Sequence, residues 1–312
     1  RQVRRSSPKL TLSIKRQLDS GSPGCERTLA MTNRYAVLGS PISHSKSPLL
    51  HQSAYRVLGL DCEYSAVEVP AARLRQFIET LDASWKGLSI TMPLKEVAAR
   101  FASEQDEVVT LTGVANTLNL EESGWKAYNT DVFGIQQSLG SALTERGCNV
   151  VVIGSGATAT SALYAAFLAN PSAKLTLLAR DRSKAKAIRS QVRASGFRLR
   201  VGNFANFNRT VSKADVVIST LPSGALDGYT AKLAKSKFYS PHGTLLDVAY
   251  DPWPSEIAKL WKRSELTAVS GLEMLIFQAI AQLRIFNLGS AADPLPNERA
   301  IELAMRDSLG LI

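Results

Sequence analysis

Short apolar runs alternate with amphipathic stretches along most of the chain, the rhythm of strands handing over to helices. Residues 35–39 read as a strand. Residues 48–58 read as a helix, with Ser47 as its N-cap and Pro48 in its first turn. Residues 62–69 form a second strand and 71–81 a second helix. Within 87–95, Leu88 and Ile90 alternate with Ser89 and Thr91; Pro93 then stops the ladder and opens a helix reaching about Ala102. A strand at 114–120 and a helix from near Val132 follow. From Asn149 onward, apolar strands at 149–153, 174–178, 199–202, 215–219, 244–248 and 266–269, with helical stretches between several of them, predict a doubly wound parallel sheet. A long, mostly apolar helix runs from Gly271 to about Leu288. The fold class is α/β.

The length of 312 residues suffices for two domains, and 45% hydrophobic with 21% charged residues is a globular composition. No apolar run is long enough to cross a bilayer, so no membrane partner is expected. Cys25, Cys62 and Cys148 are an odd number without metal-ligand spacing, and the three histidines form no cluster. They read as reduced thiols of a cytoplasmic protein that binds no metal. Half of the +10 net charge falls in residues 1–30, where seven Lys/Arg face two acids. That segment reads as a disordered or artefactual extension, with a transit peptide as the competing reading. The remainder is only mildly basic, which argues against a nucleic-acid face and suits an enzyme of carboxylates and phosphates.

Several positions carry candidate chemistry. Lys95 and Thr91 sit where a strand gives way to a helix; a lysine there can be desolvated and act as acid or base, or can simply be solvated. Ser45 and Ser47 lie at a helix mouth that suits a carboxylate or phosphate, or merely cap it. Asp131 is either a helix N-cap or a partner for Lys95. Gly154-Ser155-Gly156-Ala157-Thr158-Ala159 joins a strand to a helix in the G-x-G-x-x-A form that receives a pyrophosphate. At the end of the next strand, Arg180 with Arg182 and Lys184 favours a 2′-phosphate and hence NADP, while Asp181 dissents. Residues 248–254 form a rigid loop after a strand's carboxyl end. Met274 and Gln278 share a helix face, and a glutamine in so apolar a helix wants a polar partner.

Taken together, residues 39–48, 87–95, 113–118, 129–134, 154–159, 247–254 and 271–278 resemble the blocks of the shikimate dehydrogenase family, in its order and spacing. The likeness covers nearly all of 34–310, and the Ser-Pro-Ile-x-His-Ser and Tyr-Asp-Pro-Trp-Pro segments look most like actinobacterial members. It implies NADP(H)-dependent interconversion of 3-dehydroshikimate and shikimate in aromatic amino-acid (chorismate) biosynthesis. Carried over residue by residue, Ser45 and Ser47 hold the substrate carboxylate, and Lys95 is the acid/base group with Asp131 beside it. Thr91, Asn116 and Gln278 bind ring hydroxyls, and Tyr250 lines the site. The turn at 154–159, Gly271 and Met274 meet the coenzyme, and Arg180 and Lys184 face its 2′-phosphate. The resemblance further implies a substrate domain of 31–130 plus 272–312 and a Rossmann coenzyme domain of 131–271 in a monomer or homodimer.

The departures are Ala179-Arg180-Asp181 where the family usually has Asn-Arg-Thr, and Ala157 where glycine is common. Ser47, rather than threonine, speaks for shikimate over quinate. The competing functions are an NAD-dependent quinate/shikimate dehydrogenase, supported by Asp181 alone, a non-catalytic NADP(H) or metabolite sensor, and nucleic-acid binding through the basic extension.

Overall fold

The computed structural model describes residues 32–236, 239 and 241–312, so the reading of 1–30 lies outside the described residues. Strands β1 (Asn33–Gly39), β2 (Cys62–Glu68), β3 (Trp85–Ile90), β4 (Glu104–Gln105), β5 (Thr117–Glu121) and β6 (Gly124–Tyr128) form one sheet, in the order β2-β1-β3-β5-β6-β4. The first three are parallel, β5 runs antiparallel to β3, and β5 and β6 make a hairpin. Successive residues of β1 face opposite sides: Ala36 and Leu38 enter one buried cluster, Tyr35 and Val37 the other. This sheet is therefore covered on both faces, and Ser89 of β3 is buried along with Leu88 and Ile90. The alternation of apolar and polar residues there belongs to a strand with two buried faces.

Helices α1 (Ser47–Leu58), α2 (Leu74–Glu79), α3 (Lys95–Phe101) and α4 (Glu107–Thr112) accompany this sheet. Three starts differ from the sequence reading. The helix expected from 71 opens as a 3-10 turn over Ala71–Arg73 and becomes α2 only at Leu74. Ser47 is the first residue of α1 and Lys46 its N-cap, without a side-chain cap bond. Pro93 does not open α3. It sits in a turn closed by the Leu94 N–H on the Thr91 carbonyl at 2.8 Å, which leaves Lys95 as the first helical residue.

The second sheet contains β7 (Asn149–Ile153), β8 (Lys174–Leu178), β9 (Leu199–Gly202), β10 (Val216–Ser219), β11 (Thr244–Asp247) and β12 (Ala268–Ser270). All are parallel, in the order β12-β11-β10-β7-β8-β9. The chain winds outward from β7 in one direction and from β10 in the other, so β7 and β10 flank the switch point where such sheets bind ligands. Helices α5 (Asp131–Leu139), α6 (Ala157–Ala169), α7 (Arg182–Ala194), α8 (Phe207–Val211), α9 (Asp227–Ala234) and α10 (Glu256–Arg263) cover its two faces. Val150 and Val152 point into one core, Val151 and Ile153 into the other, which is why β7 reads as an unbroken apolar run.

Helix α11 (Gly271–Leu288) leaves β12 and crosses back to the first sheet, followed by α12 (Glu298–Ser308). Met274 joins the core of the parallel sheet, whereas Ile276, Ala279, Ile280 and Leu283 join the core of the mixed one. Gly134 lets α5 lie directly on α11. A Cβ there would stand 2.8 Å from the Met274 carbonyl oxygen and 3.0 Å from the Gln278 Cβ. That close approach brings Asp131, one turn earlier on α5, beside Gln278.

Candidate active site

The carboxyl ends of β1, β3 and β11, the mouth of α1 and the start of α11 surround a cavity of about 270 Å³. Ser45, Ser47, Thr91, Lys95, Asn116, Asp131, Tyr250 and Gln278 all line it, and so do Thr158, Gly271 and Met274.

Lys95 Nζ lies 2.5 Å from Asp131 Oδ2, with the two side chains 12% and 5% exposed. Screening by water is slight at such burial, so this pair differs from a surface ion pair. Two neighbouring elements fix it. Lys95 heads α3, and its carbonyl accepts the Ala115 N–H at 3.0 Å. Asp131 heads α5, where Thr130 is the N-cap; Asp131 is therefore a first-turn residue rather than the cap itself. The Asn116 amide nitrogen stands 2.9 Å from Asp131 Oδ1, 2.8 Å from Thr130 Oγ1 and 3.2 Å from Gln278 Oε1. Asn116 Oδ1 accepts the Thr130 N–H at 2.8 Å. Asn116 thus joins strand, helix start and α11 at a single point, and Gln278 has the polar partner its setting demands.

A second polar group adjoins this one, with Ser89 and Gln282 also lining the cavity, and the sequence reading missed it. Gln282 donates to the Asn116 carbonyl and to Thr117 Oγ1, both at 3.0 Å, and accepts from Ser89 Oγ at 2.9 Å. Ser89 accepts from the Tyr64 hydroxyl at 2.6 Å. The signal was present: Gln282 is one helical turn beyond Gln278, and the same apolar-helix argument applies to it. Tyr64 in turn stacks on His51 with ring centroids 3.9 Å apart. The His51 Nδ1 pairs with the Ser47 carbonyl at 3.0 Å, and full burial pushes its pKa down to about 4, against the raising effect of that bond. At the other wall, burial and the Asp251 charge push the Tyr250 hydroxyl up.

Gly154, Ser155, Gly156, Ala157 and Ala159 make the turn from β7 into α6. Gly154 has φ +132°, and a Cβ there would collide with Thr220 Oγ1, so only glycine fits. Ala159 is fully buried and serves helix packing. Arg180 and Lys184 lie outside the cavity at the end of β8 and the start of α7, exposed and in no ion pair among the described residues. Asp181 is the N-cap of α7. Its Oδ1 accepts from the Ser183 N–H at 2.9 Å, the Ser183 hydroxyl at 2.6 Å and the Lys184 N–H at 3.1 Å. The Ser183 hydroxyl leads in holding this carboxyl below its ordinary range.

Comparison with known proteins decides what this geometry belongs to. A family model for the shikimate dehydrogenase substrate binding domain matches residues 37–118, and one for shikimate/quinate 5-dehydrogenase matches 137–238. The chain belongs to the shikimate dehydrogenase family. Among its relatives, the shikimate dehydrogenase (NADP(+)) of Methanothrix thermoacetophila is 32% identical, the match spanning 88% of this chain and 97% of the relative. The crystal structure of Mycobacterium tuberculosis shikimate dehydrogenase is 36% identical with TM-score 0.77, covering 88% of this chain and 99% of that one. A shikimate 5-dehydrogenase from Mycobacterium fortuitum is 37% identical with TM-score 0.73, covering 88% and 97%.

The residues present fit the dinucleotide this family implies. Gly156 is exposed, and a Cβ there would meet nothing within 4 Å. The first turn of α6 has no side-chain cap, which leaves its N–H groups and the positive end of the dipole for phosphate. Among the described residues no helix is long and apolar enough to cross a membrane, and no group of three or more His, Cys, Asp or Glu could hold a metal.

Proposed function

We propose that this chain, an NADP-linked oxidoreductase acting on a CH–OH group, interconverts 3-dehydroshikimate and shikimate in the cavity around Lys95 and Asp131. The observation that carries this reading is the largely buried Lys95–Asp131 pair, keyed to Asn116 and Gln278 and facing the α6 turn across one cavity. The bound coenzyme supplies or accepts the hydride at the ring carbon.

What the chain itself does follows from its side chains. Lys95 Nζ, beside the reacting oxygen, gives a proton to the developing alkoxide when a ketone is reduced and takes it back in the reverse direction. Its cation steadies negative charge on that oxygen, and Asp131 keeps the ammonium aimed. Ser45 and Ser47, at the mouth of α1, receive the substrate carboxylate. Thr91, Asn116 and Gln278 address ring hydroxyls, and Tyr250 closes the opposite wall. Ser47 in place of threonine supports shikimate over quinate.

Around the coenzyme, residues 154–159 receive the pyrophosphate, Gly271 and Met274 lie toward the nicotinamide, and Arg180 with Lys184 face the 2′-phosphate. Asp181 no longer supports NAD. One oxygen of its carboxylate is engaged in capping α7, which gives Asp181 a role that needs no ribose. The substrate domain comprises 31–130 with 272–312, the coenzyme domain 131–271, in a cytoplasmic monomer or homodimer that binds no nucleic acid.

The test is initial-rate kinetics with NADP and NAD, each paired with shikimate and quinate, on wild type and Lys95→Ala. Shikimate with NADP is expected to be fastest, with turnover of the variant nearly abolished. Fastest turnover with NAD and quinate overturns the substrate and coenzyme assignment.

A further inference from the structure

Charge is spread unevenly over the folded chain in a way the coenzyme does not explain. Residues 32–312 carry 30 Lys/Arg and 25 acids, a net +5. Residues 182–214 alone hold nine Lys/Arg and no acid, so the rest of that span is net −4. The excess converges at the C-terminal end of α7 and on β9, the edge strand of the parallel sheet. There Arg189, Arg193, Arg198 and Arg200 line a groove of about 550 Å³ whose remaining walls are the buried Phe197 and Leu199.

None of the four guanidinium groups is in an ion pair or hydrogen bond among the described residues, and all four residues are exposed. Arg189 and Arg193 are one helical turn apart and repel each other, as Arg198 and Arg200 do on one side of the strand. A fold gains nothing from gathering four unpaired like charges around a concavity. An anion with several negative groups would reverse the sign of every one of these contacts, and planar guanidinium forks match phosphate oxygens two at a time.

We propose that this groove is a second anion site, distinct from the coenzyme turn, for a compact anion bearing two or more phosphoryl groups. The groove is of small-ligand size, and the surrounding chain is net negative, so an extended polyanion would run onto repulsive surface. A competing account makes these arginines guards that keep the β9 edge from pairing with another chain; it requires no ligand.

The experiment is calorimetric titration of the full chain with inorganic tripolyphosphate, in saturating NADP so that the coenzyme's phosphate seats are filled. Saturable binding is expected, weakening as salt rises from about 50 to about 200 mM. It should weaken about tenfold or more in Arg193→Gln/Arg200→Gln, while kcat with shikimate and NADP is unchanged. Circular dichroism checks that the variant is folded, and Arg189→Gln/Arg198→Gln replaces it if it is not. Absence of saturable binding, or equal affinity in a folded variant, overturns the site in favour of edge protection. Tighter binding of a single-stranded oligonucleotide than of tripolyphosphate overturns the compact ligand in favour of nucleic acid.

Discussion

The cavity around Lys95 and the proposed coenzyme seat beside it are built on opposite plans. At the Lys95 end the polar groups are already bonded to one another: Lys95 to Asp131, Asn116 to Asp131, Thr130 and Gln278, and Gln282 to Asn116, Thr117 and Ser89. At the proposed coenzyme seat Gly156, Arg180 and Lys184 are exposed, while Asp181 is tied into the fold. The first end is organised by the protein before any ligand arrives, which is what stabilisation of a developing charge requires. The second is a set of open donors and cations that a phosphate-bearing ligand organises on arrival. On the proposed reading, chemistry is fixed in advance and coenzyme choice rests on a few exposed charges.

The sharpest way to break this contrast is at its organised end. Lys95→Ala is expected to lower kcat by about 10²–10⁴-fold, with a much smaller change in the KM for shikimate. Steady-state kinetics read both, and a large KM change at intact kcat would make Lys95 a binding residue. Next comes acidity. His51 is neutral and buried in the fold with its pKa at about 4, against an ordinary 6.5. The unfolded chain therefore binds its proton first as pH drops. His51 costs nothing above pH 6.5 and removes about 3 kcal/mol of stability between there and about pH 4. Urea unfolding across that window should show a shallower pH slope in His51→Gln than in wild type; equal slopes would rule out a buried neutral His51.

Two smaller effects probe the open end. Arg180→Ala should raise the KM for NADP about tenfold or more while leaving that for NAD nearly unchanged, read from parallel kinetics. Asp181→Ala should cost about 1 kcal/mol of stability, the ordinary loss of an N-cap, with little change in the NADP to NAD ratio. A shift of that ratio by about tenfold would mean Asp181 reaches the ribose after all.

The parallel sheet was legible because its strands are buried on both faces and read as unbroken apolar runs, and because the turn at 154–159 marks its switch point. The mixed sheet was less so. The strand β6 went unread, since Trp125 and Lys126 beside a two-residue turn look like loop. Of the site, most of the polar residues that touch the cavity stood out by type and place. Ser89 and Gln282, which also line it, and the residues bonded to them did not. Ser89 was read only as a polar position in an alternating strand, and Tyr64 and His51 were not singled out, because the bond from Tyr64 to Ser89 reaches from β2 to β3 with β1 between them, an arrangement no local pattern reveals. Asp181 shows the converse: its type suggested a ligand contact, and its backbone gave it a helix to cap.

Helix α11 carries Gly271 and Met274, on the proposed coenzyme side of the cavity, and Gln278 and Gln282, on the proposed substrate side, all on one uninterrupted rod. At about 1.5 Å per residue, the distance between the two ligand seats is a matter of counting residues, and it works as a molecular gauge. Adding one residue between Met274 and Gln278 would lengthen the gauge only slightly but turn one end by about 100° against the other. Substitutions along this helix are negotiable; its residue count is not.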